Sequence, residues 1–301
     1  MSCEPSELSV NPNTVAVTDH ELAELRALIE CRSGIVFEGA RERSFAARVR
    51  VQVAEKGWAH GSALLRSIRT SNVEFESLLE RLLTQETSFF RYPDAFDALQ
   101  KRVLPELLAA KTGKGPHSLR IWSAGCATGE EPYSIAVTVA ENMAARDDWE
   151  PAILATDVSR AALQRAERGA YSKNRLRGLS AAQIEACFSR KNGEYVVKPE
   201  IRSLVSFAPL NLAEAVYPGR FDCIFCMNVL IYFSAERRTA MIQRFHEYLE
   251  PGGFLFLGHA ETAAGAGVNF RTMVHGEARV YRKIGRRDLS QDGVDAGRSR
   301  S

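Results

Sequence analysis

The turn SAGCATGEEP, residues 123–132, is the stretch of this chain best suited to hold a ligand. It joins a short apolar strand, LRIWSAG (119–125), to a helix that reads as PYSIAVTVAENMAA and begins at Pro132. Gly125 and Gly129 would let the backbone approach a ligand at the carboxyl edge of a sheet and at a helix N-terminus. The spacing is neither GxGxxG nor GxxxxGK, so a dinucleotide site or a P-loop fits poorly. Asp157 closes the next strand, EPAILATD (150–157), and an acid there can accept hydrogen bonds from ribose hydroxyls. It could also cap the following helix, SRAALQRAERG, and the two roles are compatible. Turn and acid together imply a nucleoside-bearing cofactor.

Other chemistry-bearing residues read more plainly. Cys223 and Cys226 form a CxxC, but FDCIFCMN has the look of a buried strand. No second Cys or His pair completes a zinc set, and no helix start follows to lower a thiol pKa. His246 and His259 are lone histidines beside packed segments and receive no chemistry. In RERSFAARVR, Arg41, Arg43, Arg48 and Arg50 stand against one acid, Glu42, the usual pattern of a solvated helix face.

The elements that must position these residues fall into two groups. TDHELAELRALIE opens with Thr18 as N-cap and Glu21 as capping-box partner, carries a Leu22, Leu25, Leu28, Ile29 stripe, and closes at Gly34. Helical patterns recur over 41–57, in SALLRSIRT and in NVEFESLLERLLT, so residues 18–84 form an all-helical unit. Residues 85–117 read as a linker and a helix through Leu99 to Leu108, ending in the loop KTGKGPH. From 118 to 285 strands and helices alternate, which predicts an α/β fold with a parallel sheet. LEPGGFLFLG reads as a helix end, a Pro-Gly-Gly turn and a strand, and RTMVHGEARVYRKI as a final antiparallel strand. A small β subdomain is expected at about 190–206, as two extended runs around Gly193 and Pro199. Residues 1–17 and 286–301 lack core-forming residues and read as disordered tails.

Composition narrows the class. The 301 residues are 45% apolar and 25% charged with a net charge of +2, the profile of a globular protein rather than a dedicated nucleic-acid binder. No apolar run approaches the roughly 20 residues of a membrane span, and the start lacks a signal-peptide pattern, so a cytoplasmic protein is expected. The six cysteines are scattered over a chain too large for a disulfide scaffold and read as reduced thiols.

The Gly turn, the acid at the second strand and the Pro-Gly-Gly strand, in that order, resemble a class I S-adenosylmethionine-dependent methyltransferase, a Rossmann-like α/β fold. The resemblance sharpens with LTQETSFFR (83–91), WSAGCATGEEPYSIA (122–136), ATDVS (155–159), FAPLNL (207–212), FDCIFCMNVLIYF (221–233) and PGGFLFLGHAE (251–261). These segments are similar to the CheR family of bacterial chemotaxis receptor methyltransferases, protein-glutamate O-methyltransferases. The resemblance runs from about Glu21 to Ile284. It implies a helical N-terminal domain, a methyltransferase domain and a small β subdomain.

It also implies roles residue by residue. S-adenosyl-L-methionine would be the cofactor and S-adenosyl-L-homocysteine the product. Gln85, Thr87 and Arg91 would contact the cofactor, with Gln85 standing where relatives often have Asn. Glu131 would supply an acidic contact, although Glu130 beside it stays open as an alternative. Asp157 would hold the ribose, while Asn211 with Leu212 and Asn228 with Val229 would line the adenine and methionine ends. Arg91 and Tyr232 would be catalytic, Arg91 orienting the incoming carboxylate and Tyr232 standing beside the transferable methyl. The implied partner is the helical methylation region of a chemoreceptor or a similar coiled-coil signalling protein, met by a monomer without nucleic acid or a membrane span. Rival readings are a methyltransferase acting on another signalling protein and a non-catalytic scaffold that keeps the fold.

Overall fold

A computed structural model describes residues 17–111, 117–143, 146, 148–214 and 216–285. The expected tails at 1–17 and 286–301 lie outside these residues, apart from Val17. The chain divides into two compact units, one ending at Thr84 and one beginning at Gln85.

In the first unit the helices are α1 (Asp19–Ser33), α2 (Ala40–Glu55), α3 (Gly61–Thr70) and α4 (Asn72–Leu82). Their starts follow from local chemistry. The Thr18 hydroxyl accepts from the Glu21 N–H, and the Glu21 carboxylate accepts from the Thr18 N–H at 2.9 Å, a complete capping box. The other Glu21 oxygen accepts from the Ser62 N–H at 2.7 Å, so one carboxylate ties the first turns of α1 and α3. Gly34 closes α1 in the left-handed region, as the sequence implies. Leu25, Ile29, Phe45, Val49, Val53, Leu64, Ile68 and Leu78 form the buried interior. The arginine run on α2 is partly spent inside this unit. Arg48 donates to the carbonyls of Arg81, Leu82 and Leu83, where the end of α4 leaves acceptors unpaired, and Glu42 pairs with Arg26.

In the second unit, α5 (Pro93–Ala98) runs through a wide π turn at Leu99–Val103 into α6 (Leu104–Ala110). Pro105 explains the widening: it has no N–H for the carbonyl of Lys101 and its ring would crowd that group. Then come β1 (His117–Ala124), α7 (Glu130–Met143), β2 (Trp149–Asp157), α8 (Arg160–Arg168) and β3 (Ala170–Tyr171). They are followed by α9 (Ala181–Cys187), β4 (Phe188–Lys191), β5 (Glu194–Val197), α10 (Pro199–Arg202) and β6 (Val205–Pro209). The chain continues with β7 (Phe221–Cys226), α11 (Ala235–Tyr248), β8 (Leu249–Leu257), β9 (Phe270–His275) and β10 (Ala278–Lys283).

Among the described residues the large sheet has the order β6-β2-β1-β7-β8-β10-β9, with β10 antiparallel to both its neighbours and the other pairs parallel. Successive strands move outward from β1 to β2 and β6, then the chain returns to β7 on the other side of β1. That reversal opens a crevice beyond the carboxyl ends of β1 and β7, where doubly wound sheets bind ligands. The core on one side of the sheet gathers Phe96, Leu99, Leu104, Ile121, Ile135, Ile153, Phe225 and Phe256. Helix α5 and the start of α6 thus pack against the sheet rather than standing apart from it. Among the described residues no helix is long and apolar enough to cross a membrane.

Three local expectations change. Helix α7 begins at Glu130, two residues before Pro132, which puts both acids in its first turn. Pro251, Gly252 and Gly253 lie within β8, where pairing with β7 shifts register between Phe221 and Cys223. A Cβ on Gly253 would sit 2.9 Å from the Asp222 carbonyl, so the close approach requires glycine there. The small sheet is β3-β5-β4, its hairpin turning at Asn192 and Gly193, both with positive φ. The run after Pro199 is not part of it. Pro199 starts α10, and Val205–Pro209 becomes the edge strand beside β2.

Cys223 and Cys226 lie within the fully buried β7, three residues apart and therefore on opposite faces. Burial pushes both thiols well above the ordinary cysteine range. They are strand packing, as the apolar context implies.

Candidate functional site

The turn after β1 is built from positive-φ positions, Gly125 at 85°, Ala127 at 46° and Gly129 at 95°. A Cβ on Gly125 would approach Val229 Cγ2 to 2.5 Å, so the loop after β7 closes directly on bare backbone. The Gly125 and Cys126 N–H groups both donate to the Thr156 carbonyl on β2, at 2.8 and 2.9 Å. Asp157, one residue on, braces what remains: Oδ2 accepts from the Ala127 N–H at 2.8 Å and Oδ1 from the Ser159 N–H at 2.9 Å. The cap of α8 is Ser159, whose hydroxyl accepts from the Ala162 N–H. Asp157 therefore links the Gly turn to the entry of α8 and is not the cap itself.

The two neighbouring acids separate cleanly. Glu130 is fully buried, accepts from the Thr128 hydroxyl at 2.6 Å and pairs with Arg175 at 3.3 Å. Glu131 turns the other way, is half-buried, and accepts from the Ser123 hydroxyl at 2.7 Å. Burial pushes its carboxyl up to about 7, against the Ser123 hydrogen bond; the charge of Glu261 adds to the rise and that of Arg91 opposes it. Glu131 thus shares a field with Glu261 and Arg91, whereas Glu130 belongs to the wall.

The segment 85–92 is laid across this wall by specific anchors. Gln85 Nε2 donates to the Ser159 hydroxyl at 2.9 Å. Phe89 is buried edge-on to Tyr171 and Phe188, and its carbonyl lies so close to Gly178 that a Cβ there would meet it at 1.9 Å. Phe90, at φ 50°, donates its N–H to the Ser134 hydroxyl on α7. The half-buried Thr87 offers its carbonyl to Arg175 at 3.4 Å. Arg91 is exposed and donates to the Glu86 carbonyl at 2.8 Å.

The opposite wall follows β6 and β7. Asn211 closes its own turn by accepting from the Ala213 N–H at 3.0 Å, while Leu212 is buried and its carbonyl accepts from the Tyr217 hydroxyl. Leu210 donates its N–H to the Asp157 carbonyl at 3.0 Å, which sets Asn211 beside the end of β2. Asn228, at φ 61°, accepts from the Tyr92 hydroxyl at 2.7 Å, and the Tyr92 ring lies 4.3 Å from that of His259. Tyr232 is half-buried in a short 3-10 turn, Leu230–Tyr232, that begins after Val229.

Glu261 joins the site without standing among the residues that the sequence singles out. Its carboxylate is buried and accepts from three backbone N–H groups, Gly258 at 2.7 Å, Asn228 at 2.9 Å and Ile231 at 3.3 Å. It thereby ties the loop after β8 to the loop carrying Asn228, Val229 and Tyr232. The available signal was an acid four residues past the end of an apolar strand, within GHAE, a costly place for a charge without partners. Removing the carboxylate leaves three donors without an acceptor, so Glu261→Ala is expected to cost roughly 2–4 kcal/mol of stability. Thermal melting checks this, and an unchanged midpoint would show that the carboxylate braces nothing.

The expected residues thus converge on the carboxyl ends of β1, β2, β6 and β7, with 85–91 running past them. Glu131 shares its field with the Glu261 carboxylate and the Arg91 guanidinium, and Asp157 adds a third carboxylate at the end of β2. That donor set suits a ligand carrying both hydroxyls and positive charge, as S-adenosylmethionine does with its ribose, ammonium and sulfonium groups. Among the described residues no cluster of three or more His, Cys, Asp or Glu side chains could hold a metal ion.

The family model described as "CheR methyltransferase, SAM binding domain" matches residues 85–278, beginning at the first residue of the second unit. The chain is 37% identical over 262 residues to chemotaxis protein methyltransferase 1 of Pseudomonas aeruginosa, covering 82% of this chain and 91% of that one. It is 31% identical over 271 residues to the chemotaxis protein methyltransferase of Borreliella burgdorferi, covering 88% and 95%. Identity to the Escherichia coli chemotaxis protein methyltransferase is 34% over 257 residues, covering 82% and 86%.

Proposed function

We propose that this chain, which belongs to the CheR methyltransferase family, moves the methyl group of its S-adenosyl-L-methionine cofactor onto glutamate side chains of a chemoreceptor's helical cytoplasmic region. The products are glutamate methyl esters and S-adenosyl-L-homocysteine, formed in the cytoplasm by a monomeric enzyme. The observation that carries the reading is the convergence of Asp157, Glu131 and Arg91 at the crevice beyond β1 and β7, inside a family defined by cofactor-dependent methyl transfer in chemotaxis.

The cofactor supplies a methyl carbon on positively charged sulfur, which an ionised carboxylate can take by in-line displacement. A substrate glutamate, with an ordinary pKa of about 4.3, is already ionised at neutral pH, so the protein need not provide a general base. Its residues have two tasks, alignment and exclusion of water, and positioning of this kind is worth several kcal/mol. Asp157 would accept from the ribose hydroxyls, and Gln85, Thr87, Asn211, Leu212, Asn228 and Val229 would line the adenine and methionine ends. Arg91 would present its planar fork to the incoming carboxylate as an orienting group, and Tyr232 would close the site beside the reacting carbon.

Glu131 would pair with the cofactor's ammonium, and its pKa gives that assignment a pH signature. In the free protein its carboxyl titrates near 7, so below that pH a proton must leave before a cation can be paired. Cofactor affinity is therefore expected to weaken as pH falls from 7 toward 5.5, approaching tenfold per unit, with the slope absent in Glu131→Gln. Titration calorimetry measures both. Stability of the free protein moves the other way. The folded pKa lies above the unfolded value, so this group favours folding increasingly as pH falls from about 7 toward 4.5.

Radiolabelled methyl should pass from the cofactor to receptor cytoplasmic fragments as base-labile ester. Label confined to small molecules or nucleic acid would refute the substrate assignment.

A further inference from the structure

We propose that the exposed basic surface formed by residues 160–177 is where the catalytic unit receives the acidic helical segment carrying the methyl-accepting glutamates. The proposal rests on the function above and specifies which surface serves it. Between Arg160 and Arg177 the sequence places six basic residues, Arg160, Arg165, Arg168, Lys173, Arg175 and Arg177, against one acid, Glu167. That local excess is more than twice the +2 of the whole chain. All six are exposed.

The fold makes one surface of them. On α8, Ala162, Leu163 and Ala166 are buried, so Arg160, Gln164 and Arg168 follow one another along the solvent side with Arg165 next to them. Gly169 ends the helix in the left-handed region, two residues of β3 follow, and Lys173, Arg175 and Arg177 emerge from the next short turn. Ion pairs occupy only part of this charge. Arg168 lies 3.5 Å from Glu194 and Arg175 lies 3.3 Å from Glu130. Among the described residues Arg165, Lys173 and Arg177 have no carboxylate within ion-pair distance.

The surface adjoins the mouth of the site. Helix α8 begins three residues after Asp157, Gln85 donates to Ser159 just before it, and Arg175 reaches the Thr87 carbonyl. Electrostatics gives the juxtaposition a purpose. The floor holds Glu131 and Glu261 near Arg91, with Asp157 at the end of β2, and this excess of carboxylates repels an approaching carboxylate. A basic rim offsets this repulsion, steers an acidic helix inward and leaves the floor's negative charge for the cationic cofactor.

The test uses the full chain with R165E, K173E and R177E combined, three positions outside the cofactor site and outside the Arg168–Glu194 and Arg175–Glu130 pairs. The triple variant is expected to raise KM for a receptor cytoplasmic fragment by about tenfold or more. The kcat at saturating fragment, the S-adenosylhomocysteine affinity and the melting midpoint should stay at wild-type values. Raising salt from about 50 to 300 mM should raise the wild-type KM steeply and that of the variant little. A wild-type KM and salt dependence in the variant would overturn the surface assignment alone. Loss of binding to phosphatidylglycerol vesicles or to nucleic acid, with fragment KM unchanged, would also overturn it by giving the surface another ligand. Absence of methyl transfer to the fragment by the wild-type enzyme would instead overturn the underlying function and the surface with it.

Discussion

Asp157→Ala is expected to weaken S-adenosylhomocysteine binding by a hundredfold or more. The carboxylate has two duties that the substitution removes together. Toward the ligand, it would accept from the ribose hydroxyls, and charge-assisted hydrogen bonds contribute roughly 1.5–3 kcal/mol each. Two of them correspond to at least two orders of magnitude in affinity. Toward the protein, it holds the Ala127 and Ser159 N–H groups at 2.8 and 2.9 Å, so its loss also loosens a turn already carrying a non-glycine residue at φ 46°. Asp157→Asn separates the duties in part. The amide keeps one acceptor oxygen but turns a donor toward the other N–H, and an intermediate loss of affinity with a lower melting midpoint is expected. Calorimetric affinity of the Ala variant within threefold of wild type would refute the ribose assignment.

Arg91→Ala should reduce kcat for methyl transfer to a receptor fragment by about a hundredfold, with a smaller effect on cofactor affinity. The side chain is exposed, and its Glu86 hydrogen bond holds it at the edge of the site rather than in the core, so removing it leaves the fold intact. What would be lost is the fork proposed to orient the attacking carboxylate, a contribution to alignment rather than to ground-state binding. Arg91→Lys is expected to recover little, because a point charge cannot set the angle of a planar group. The pH behaviour offers an independent readout. Arg91 lowers the Glu131 pKa, so its removal should shift the cofactor-affinity profile toward higher pH. A variant with wild-type kcat and an unshifted profile would deny Arg91 both its role and its place beside Glu131.

Much of this site was legible in the sequence because its signals are local. A glycine turn between a strand and a helix, an acid at the end of the next strand, and TSFFR ahead of the fold are each contained within about ten residues. Glu130 and Glu131 show where local reading stops. They are adjacent and chemically identical, and only the start of α7 at Glu130 turns one toward Thr128 and Arg175 and the other toward Ser123 and the crevice. The role of Glu261 was hidden for a related reason. Two of its hydrogen-bond partners, Asn228 and Ile231, are about thirty residues earlier in the chain, and nothing in GHAE announces them. The small sheet was misplaced because Pro199 ends one extended run, and the partner strand β3 is a two-residue segment with no pattern of its own.

The sequence by itself determined the family, the α/β alternation, the helical first unit and most of the residues that meet at the crevice. It did so because strand ends, caps and glycine turns are fixed by neighbours a few positions away. The tertiary structure alone decided which acid faces the crevice and which carboxylate ties the loops together. It also decided that the balanced charge of the whole chain conceals a basic rim beside an acidic floor. These depend on the direction in which side chains leave their elements and on hydrogen bonds across the return from β6 to β7, and the local pattern encodes neither.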